Sequence, residues 1–192
     1  VEAWSSLGIY GGDDGLSGTV DPDLLMTIAE EHFGLKLKST VRRRDQNDCV
    51  TFLARVWGPG AWAGDSNNMC DVPRQLAKLH MTTQPVRLPG RSEDDTNKIV
   101  LLNKALSYEV TDRNTPLIGP WSVKMLALLN DEQLEPAGVQ DHSLGYYASL
   151  HRHGDEKRFH NERADWMESW IAAEMEDPNL MGFETWLGTV TF

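Results

Sequence analysis

The sequence predicts an α+β fold: an antiparallel β-hairpin and sheet with a covering helix, followed by an all-α half. Three observations carry this. Runs rich in β-branched and aromatic residues at 3–10 and 50–57 read as strands bounded by glycine and proline. A helix with both ends punctuated lies between them. From Pro73 onward apolar residues recur at helical spacing almost to the end of the chain.

Taken in order, the first strand enters the run Gly11-Gly12-Asp13-Asp14-Gly15. Asp-Gly between two apolar stretches is a strong hairpin signal, because glycine accepts the positive φ of primed turns, so Asp13 and Asp14 are expected at or beside the reversal. The first helix spans 22–33, with Asp21 as N-cap, Pro22 at the first helical position and Gly34 just past the end. Leu25, Ile28, Ala29 and Phe33 fall on one stripe and are expected to cover the sheet. Residues 50–57 read as another strand, stopped by Gly58-Pro59-Gly60. Helices are expected at 73–82, 93–111, 120–130, 143–152, 156–176 and 179–187. Ser92 caps the second of these, with Glu93, Asp94 and Asp95 favourably placed in its first turn.

The paired aspartates are the chemical centre of the sequence. Two carboxylates ~4 Å apart repel by about 4 kcal/mol at an effective dielectric of 20, so both stay ionised cheaply only beside a cation. Mg²⁺ suits such all-oxygen ligands and keeps positions open for water and phosphate oxygens. The acidic spacing does not fit an EF-hand, lacking its alternation and terminal glutamate.

Gly-Gly-Asp-Asp after a short apolar strand resembles motif C of the palm domain in viral RNA-dependent RNA polymerases. The segments that follow resemble the same family in order and spacing. The helix from Pro22 to Phe33, Gly34 and the segment Leu35-Lys36-Leu37-Lys38 are similar to the helix, turn and strand of motif D, which implies a short strand at 35–38. Val50-Thr51-Phe52-Leu53-Ala54-Arg55-Val56-Trp57 looks like the motif E hairpin, and Val72-Pro73-Arg74-Gln75-Leu76-Ala77-Lys78-Leu79-His80 resembles the opening of the thumb. The wording is closest to nodavirus-like enzymes of positive-strand RNA viruses. The resemblance covers about residues 3–83. It implies the C-terminal part of a palm over 1–71 and a helical thumb over 72–192. The Pro/Gly-rich stretch at 85–90 is the boundary that composition alone suggests.

Composition frames this. Forty per cent of the residues are hydrophobic and 24% charged, as in a folded chain. No stretch approaches the ~20 apolar residues of a membrane span, and the start lacks a signal-peptide pattern. Cys49 and Cys70 are too few for a disulfide scaffold, which fits a reducing intracellular setting. The chain opens with Val1 inside the first strand and reads as a piece of something longer. The net charge of -11 opposes nucleic-acid binding until its distribution is considered. Residues 1–34 carry seven acids and no Lys or Arg. Residues 35–91 carry ten bases against four acids, whereas 92–192 carry eight bases and eighteen acids. A basic middle block thus sits between acidic flanks.

The resemblance implies nucleotidyl transfer in viral RNA replication, with the RNA 3′ hydroxyl attacking the α-phosphate of a nucleoside triphosphate. Two metal ions about 3.5–4 Å apart would stabilise the attacking and leaving oxygens. It implies Asp13 and Asp14 as catalytic and metal-ligating residues, with Asp13 the direct ligand, and Mg²⁺ or Mn²⁺ as cofactor. A motif A aspartate would lie upstream, so the piece alone is expected to bind metal feebly and to be inactive. Lys36, Lys38 and Arg42, within the cluster Arg42-Arg43-Arg44, are the candidates for triphosphate and pyrophosphate. Arg42 stands where the family usually has lysine, and a guanidinium is a poor proton donor. Phe52, Leu53, Arg55, Arg74 and Lys78 are the candidates for the primer and RNA. Strand alternation would put Phe52 and Ala54 on one face and Leu53 and Arg55 on the other. The implied partners are RNA template and product, nucleoside triphosphates and the remainder of the polymerase, in host cytoplasm at membrane-associated replication complexes.

Two further clusters are bland by comparison. His151, His153 and His160 with Asp155 match no metal-ligand spacing. Trp166, Trp170 and Ile171 recur at helical spacing and are expected to pack in the core. Alternative functions are a non-catalytic RNA-binding or scaffold module, or a reverse-transcriptase palm, whose hairpin usually carries an aromatic, any residue and two aspartates.

Overall fold

A computed structural model describes residues 8–18, 20–79, 90–129, 159–175 and 180–189. The expected helix at 143–152, the 85–89 part of the Pro/Gly-rich boundary, and His80, His151, His153 and Asp155 lie outside the described residues. The elements are β1 (Ile9–Gly11), β2 (Asp14–Leu16), α1 (Pro22–Phe33), β3 (Val50–Phe52), β4 (Arg55–Trp57), β5 (Asn68–Cys70), α2 (Val72–Leu76), α3 (Glu93–Thr111), α4 (Ile118–Leu129), α5 (Asp165–Glu174) and α6 (Leu180–Thr189). Helices and small antiparallel sheets together make an α+β structure.

β1 and β2 form a hairpin in the register Ile9↔Leu16, Tyr10↔Gly15, Gly11↔Asp14. The two-residue turn is therefore Gly12-Asp13 rather than Asp14-Gly15. Glycine at the first turn position, with φ 69, is the arrangement that suits the right-handed twist of the flanking strands.

α1 keeps all its expected punctuation. The Asp21 carboxylate accepts from the amides of Asp23 and Leu24, and Gly34 at φ 63 closes the helix. Gly34 N–H donates to Glu30 O and Leu35 N–H to Ala29 O, a Schellman closure. The expected covering role fails, however. Only Ala29 of the stripe is buried; Leu25 and Ile28 are exposed and Phe33 is 71% exposed. The following segment corrects the sequence as well. Residues 34–43 form no strand, and Leu35, Leu37 and Val41 face solvent. A strand needs a neighbour's ladder, and among the described residues none runs beside it.

Residues 50–57, read from residue type as a strand and from the resemblance as the motif E hairpin, form a hairpin. β3 and β4 pair as Val50↔Trp57, Thr51↔Val56 and Phe52↔Arg55, with Leu53 and Ala54 forming the turn at φ 49 and 58. Phe52 and Arg55 are opposite one another and share a face, so the alternation inferred for an unbroken strand does not apply. β5 adds to β4 in the register Val56↔Met69.

The core is built where this three-stranded sheet meets the helices. Val56, Met69, Cys70, Val72, Leu117, Ile118, Met167 and Ile171 form one buried cluster. The chain thus passes from sheet to helix at 71/72 within shared packing. Trp166 and Trp170 pack against this cluster, as expected of them, and Trp166 lies so close to Gly58 that a Cβ there would stand 2.5 Å from the indole. A second cluster, Ala105, Trp121, Met125, Leu129 and Leu187, joins α3, α4 and α6.

The first helix of this half is shorter than expected. α2 ends at Leu76, and Lys78 lies in the turn beyond it. Lys104 Nζ donates to the carbonyls of Lys78 and Leu79, satisfying acceptors past the helix end. α3 spans the expected 93–111, with Ser92 Oγ accepting from Asp95 N–H. α5 begins at Asp165 rather than 156, because residues 160–162 are occupied as an extended segment on β5. There Asn67 and Glu162 exchange two hydrogen bonds of 2.9 Å, and Asn161 Nδ2 donates to Asn68 O.

Candidate functional site

The acidic turn stands at the end of the β1–β2 hairpin. Gly11 is half-buried, while Gly12, Asp13 and Asp14 are exposed. Asp13 occupies the second turn position and Asp14 the first residue of β2, opposite Gly11. Among the described residues neither carboxylate makes a salt bridge or a side-chain hydrogen bond, so both present their oxygens outward. Two adjacent, unpaired carboxylates on a rigid turn fit a hard divalent cation with oxygen ligands. No group of three or more His, Cys, Asp or Glu suited to a metal exists among the described residues, so the turn offers part of a ligand set.

The basic candidates are exposed. Lys36, Lys38 and Arg42 lie on the irregular segment after α1, which is tied to that helix by Ser39 Oγ on Met26 Sδ at 3.9 Å. Arg43 and Asp48 close the adjoining loop: Arg43 N–H donates to the Asp48 carboxylate at 2.8 Å, and Asp48 N–H returns to Arg43 O. Arg74 is exposed on α2 and Lys78 just beyond it, so their charges are free to meet a polyanion although they do not share a helix.

The remaining candidates sit on the β3–β4 hairpin. Phe52 is partly buried. Leu53 is 51% exposed at the turn, and its methyl groups lie against Gly11 of the acidic hairpin. Through this contact the β3–β4 turn touches the acidic hairpin. Arg55 is differently placed from the expectation that it grips a phosphate. Its guanidinium forks onto Asp112, with Nη1 donating to Oδ2 at 2.8 Å and Nη2 to Oδ1 at 3.2 Å. Nε donates to Asn68 Oδ1 at 2.6 Å, and Nη2 also reaches Thr111 O. The bidentate anion that the arginine holds is a carboxylate of its own chain.

Asp112, at the C-terminal end of α3, is the hub that sequence reasoning missed. It is 1% exposed and accepts from Arg55 twice, from Cys70 N–H at 2.7 Å, from Thr111 Oγ1 and from Thr115 Oγ1. Nothing local marks it, because its partner lies 57 residues away. The packing around it pushes neighbouring protons up: burial, then the Asp112 charge, raises the Cys70 thiol well above its ordinary range, and burial does the same to Tyr108.

The histidine cluster reduces to His160 among the described residues. Its Nδ1 is 3.1 Å from Ser66 Oγ, with Asp65 and Glu162 carboxylates each 3.5 Å from the ring. A concavity of about 460 Å³ between α4 and α6 lies apart from the predicted site residues. Its Arg113 and Arg163 are already paired with Glu109, Glu168 and Glu184. No helix among the described residues is long and apolar enough to cross a membrane.

The chain is 40% identical over 121 residues, 62% of its length, to the RNA-directed RNA polymerase of Greasy grouper nervous necrosis virus. It is 28% identical over 143 residues, 71% of its length, to that of Pariacoto virus, and 31% identical over 130 residues, 66% of its length, to that of Pieris rapae virus. The matched stretch is 11% of the length of the first of these relatives and 13% of the second. No family model matches the chain, and no solved structure matches it. By sequence, the chain is similar to a segment of the RNA-directed RNA polymerases of these viruses.

Proposed function

We propose that this chain is the C-terminal palm and thumb portion of an enzyme that copies RNA from an RNA template, and that Asp13 and Asp14 are metal ligands of its catalytic centre. The observation that carries the reading is the exposed Gly-Gly-Asp-Asp turn, with both carboxylates unpaired among the described residues, in a chain homologous to RNA-directed RNA polymerases.

Mg²⁺ or Mn²⁺ held there would lower the barrier by stabilising the attacking 3′ oxygen and the departing pyrophosphate. The chain's own residues position and neutralise. Asp13, at the crest of the turn, supplies the direct ligand, and Asp14 the second from the start of the strand. Lys36, Lys38 and Arg42, exposed and without an ion pair among the described residues, offer cations for the triphosphate. Arg74 and Lys78 offer charge to the backbone of the product duplex. Arg55 serves by holding the β3–β4 hairpin rather than by touching RNA.

The remainder of the polymerase is part of this reading. Eleven of the thirteen large apolar residues exposed among the described residues lie between Ile9 and Leu53. Apolar surface this concentrated marks a face that another structure covers, and the upstream palm and fingers are the proposed cover. The same upstream region would complete the ligand set, so the piece alone is inactive.

The test is template-directed nucleotide incorporation by the complete polymerase with Asp13→Ala. Loss of at least about a hundredfold is expected, from the scale of removing one charge-stabilising group from a reacting centre. Unchanged incorporation would leave the non-catalytic RNA-binding module as the better reading.

A further inference from the structure

We propose that Leu53 is a positioning residue for the acidic turn, its side chain acting as the buttress that sets where Asp13 and Asp14 stand. The proposal rests on the reading of those aspartates as metal ligands.

The β3–β4 turn is held in an unfavourable conformation. Leu53 and Ala54 both adopt left-handed backbone angles, φ 49 and 58, with no glycine, asparagine or aspartate to ease them. Such residues persist only where the surroundings over-determine them. The restraint here comes from behind the turn. Asp71 N–H donates to Ala54 O at 3.0 Å, and Arg55 is fixed by its fork onto buried Asp112.

What this strained turn holds forward is the Leu53 side chain, and it meets Gly11. A Cβ on Gly11 would stand 2.8 Å from Leu53 Cδ1 and 2.9 Å from Cδ2, closer than carbon atoms can pack. The contact therefore needs a long apolar side chain at 53 and no side chain at 11, since a Cβ there would push the Leu53 methyl groups aside. Gly11 is the strand partner of Asp14 and immediately precedes the Gly12-Asp13 turn. Displacing it would displace the rung of the ladder on which both carboxylates depend.

A chain of fixed contacts thus runs from α3 through Asp112 and Arg55 to Leu53, Gly11 and the acidic turn. An apolar tip offers no charge to phosphate, so its contact with the hairpin is the better account of a leucine at this strained position. Metal affinity and catalysis both depend on ligand placement, and a shift of about 1 Å at a reacting centre costs on the order of a hundredfold.

The experiment uses the complete polymerase and compares Leu53→Asn, Leu53→Met, Gly11→Ala and the Gly11→Ala/Leu53→Asn double variant. Asparagine tolerates the left-handed turn, so the hairpin keeps its shape while the methyl contact is lost. Thermal melting verifies that each variant folds. The readouts are the Mg²⁺ concentration for half-maximal nucleotide incorporation and the KM for primed RNA.

Leu53→Asn and Gly11→Ala are each expected to raise the Mg²⁺ requirement by about threefold to tenfold with the RNA KM unchanged. Leu53→Met should stay near wild type, and the double variant should be no worse than the worse single one, the non-additivity of two groups in contact. A Leu53→Asn enzyme within about twofold of wild type in Mg²⁺ requirement would overturn the proposal, as would an effect confined to the RNA KM or two single effects that multiply independently. Full activity in Asp13→Ala would instead sink the metal-ligand reading, so the two failures are distinct.

Discussion

Replacing Asp112 by alanine should cost about 3–5 kcal/mol of stability, the scale for breaking a buried ion pair by removing one partner. Five hydrogen bonds end on this carboxylate, from Arg55 Nη1 and Nη2, Cys70 N, Thr111 Oγ1 and Thr115 Oγ1. Two consequences dominate. Arg55, with 19% of its side chain exposed, is left as a largely buried cation with no counter-charge, held only by the neutral acceptors Asn68 Oδ1 and Thr111 O. The Cys70 amide loses its carboxylate acceptor, which costs about 1–3 kcal/mol when no other group replaces it. These terms share partners and do not add fully. Against a typical total of about 5–15 kcal/mol, the loss is roughly a fifth or more of the fold's stability. Asp112→Asn, which keeps the volume and one acceptor, should cost less than alanine. Arg55→Met with Asp112→Leu should cost less than Asp112→Ala alone, since no unpaired charge remains. Urea unfolding followed by fluorescence of the seven tryptophans measures all of these. A loss below about 1 kcal/mol for Asp112→Ala would refute the argument that this carboxylate ties the sheet to the helices.

Three other outcomes follow from the same structure. Ala54→Gly should stabilise the chain by about 0.5–1 kcal/mol, against the usual direction of that substitution, because relief of the left-handed strain exceeds glycine's entropy cost; the urea midpoint reads this. Phe33→Ser and Leu25→Ser should change the stability of this chain by less than about 0.5 kcal/mol, since both side chains are exposed, yet should impair folding or activity of the complete polymerase, where that face is proposed to be covered. Stability should fall as pH rises above about 9. Burial raises the Cys70 thiol in the folded state, so the unfolded chain releases that proton first, and stability present below the ordinary thiol value of 9.0 is lost at higher pH. Cys70→Ala should flatten this decline by up to about 1.4 kcal/mol per pH unit, and an unchanged slope would show that the thiol is not its source.

The sequence declared what is locally encoded. Asp21, Pro22 and Gly34 bound α1 because capping is a matter of a few adjacent residues, and Ser92 does the same for α3. The acidic hairpin was legible for the same reason, although its turn settled on Gly12-Asp13 because glycine is needed at the first turn position. What depended on distant partners was hidden. Residues 35–38 alternate like a strand but find no ladder beside them, and the α1 stripe finds nothing to cover. By residue type alone 50–57 read as a strand because Leu53-Ala54 carries no turn chemistry, and only the resemblance to motif E pointed to a hairpin; the restraint on the turn comes from Asp71 and from Asp112, remote in the chain. Arg55 looked like a phosphate ligand by residue type. Its partner became visible only when α3 was brought against the sheet.

The most direct test of the account is the position of the metal. Crystals of the complete polymerase with primed RNA, a nucleoside triphosphate and Mn²⁺ should give an anomalous peak about 2.1 Å from the Asp13 carboxylate, with Asp14 beside it. Manganese bound elsewhere in the catalytic complex, with both aspartates of the turn facing only water, would contradict it.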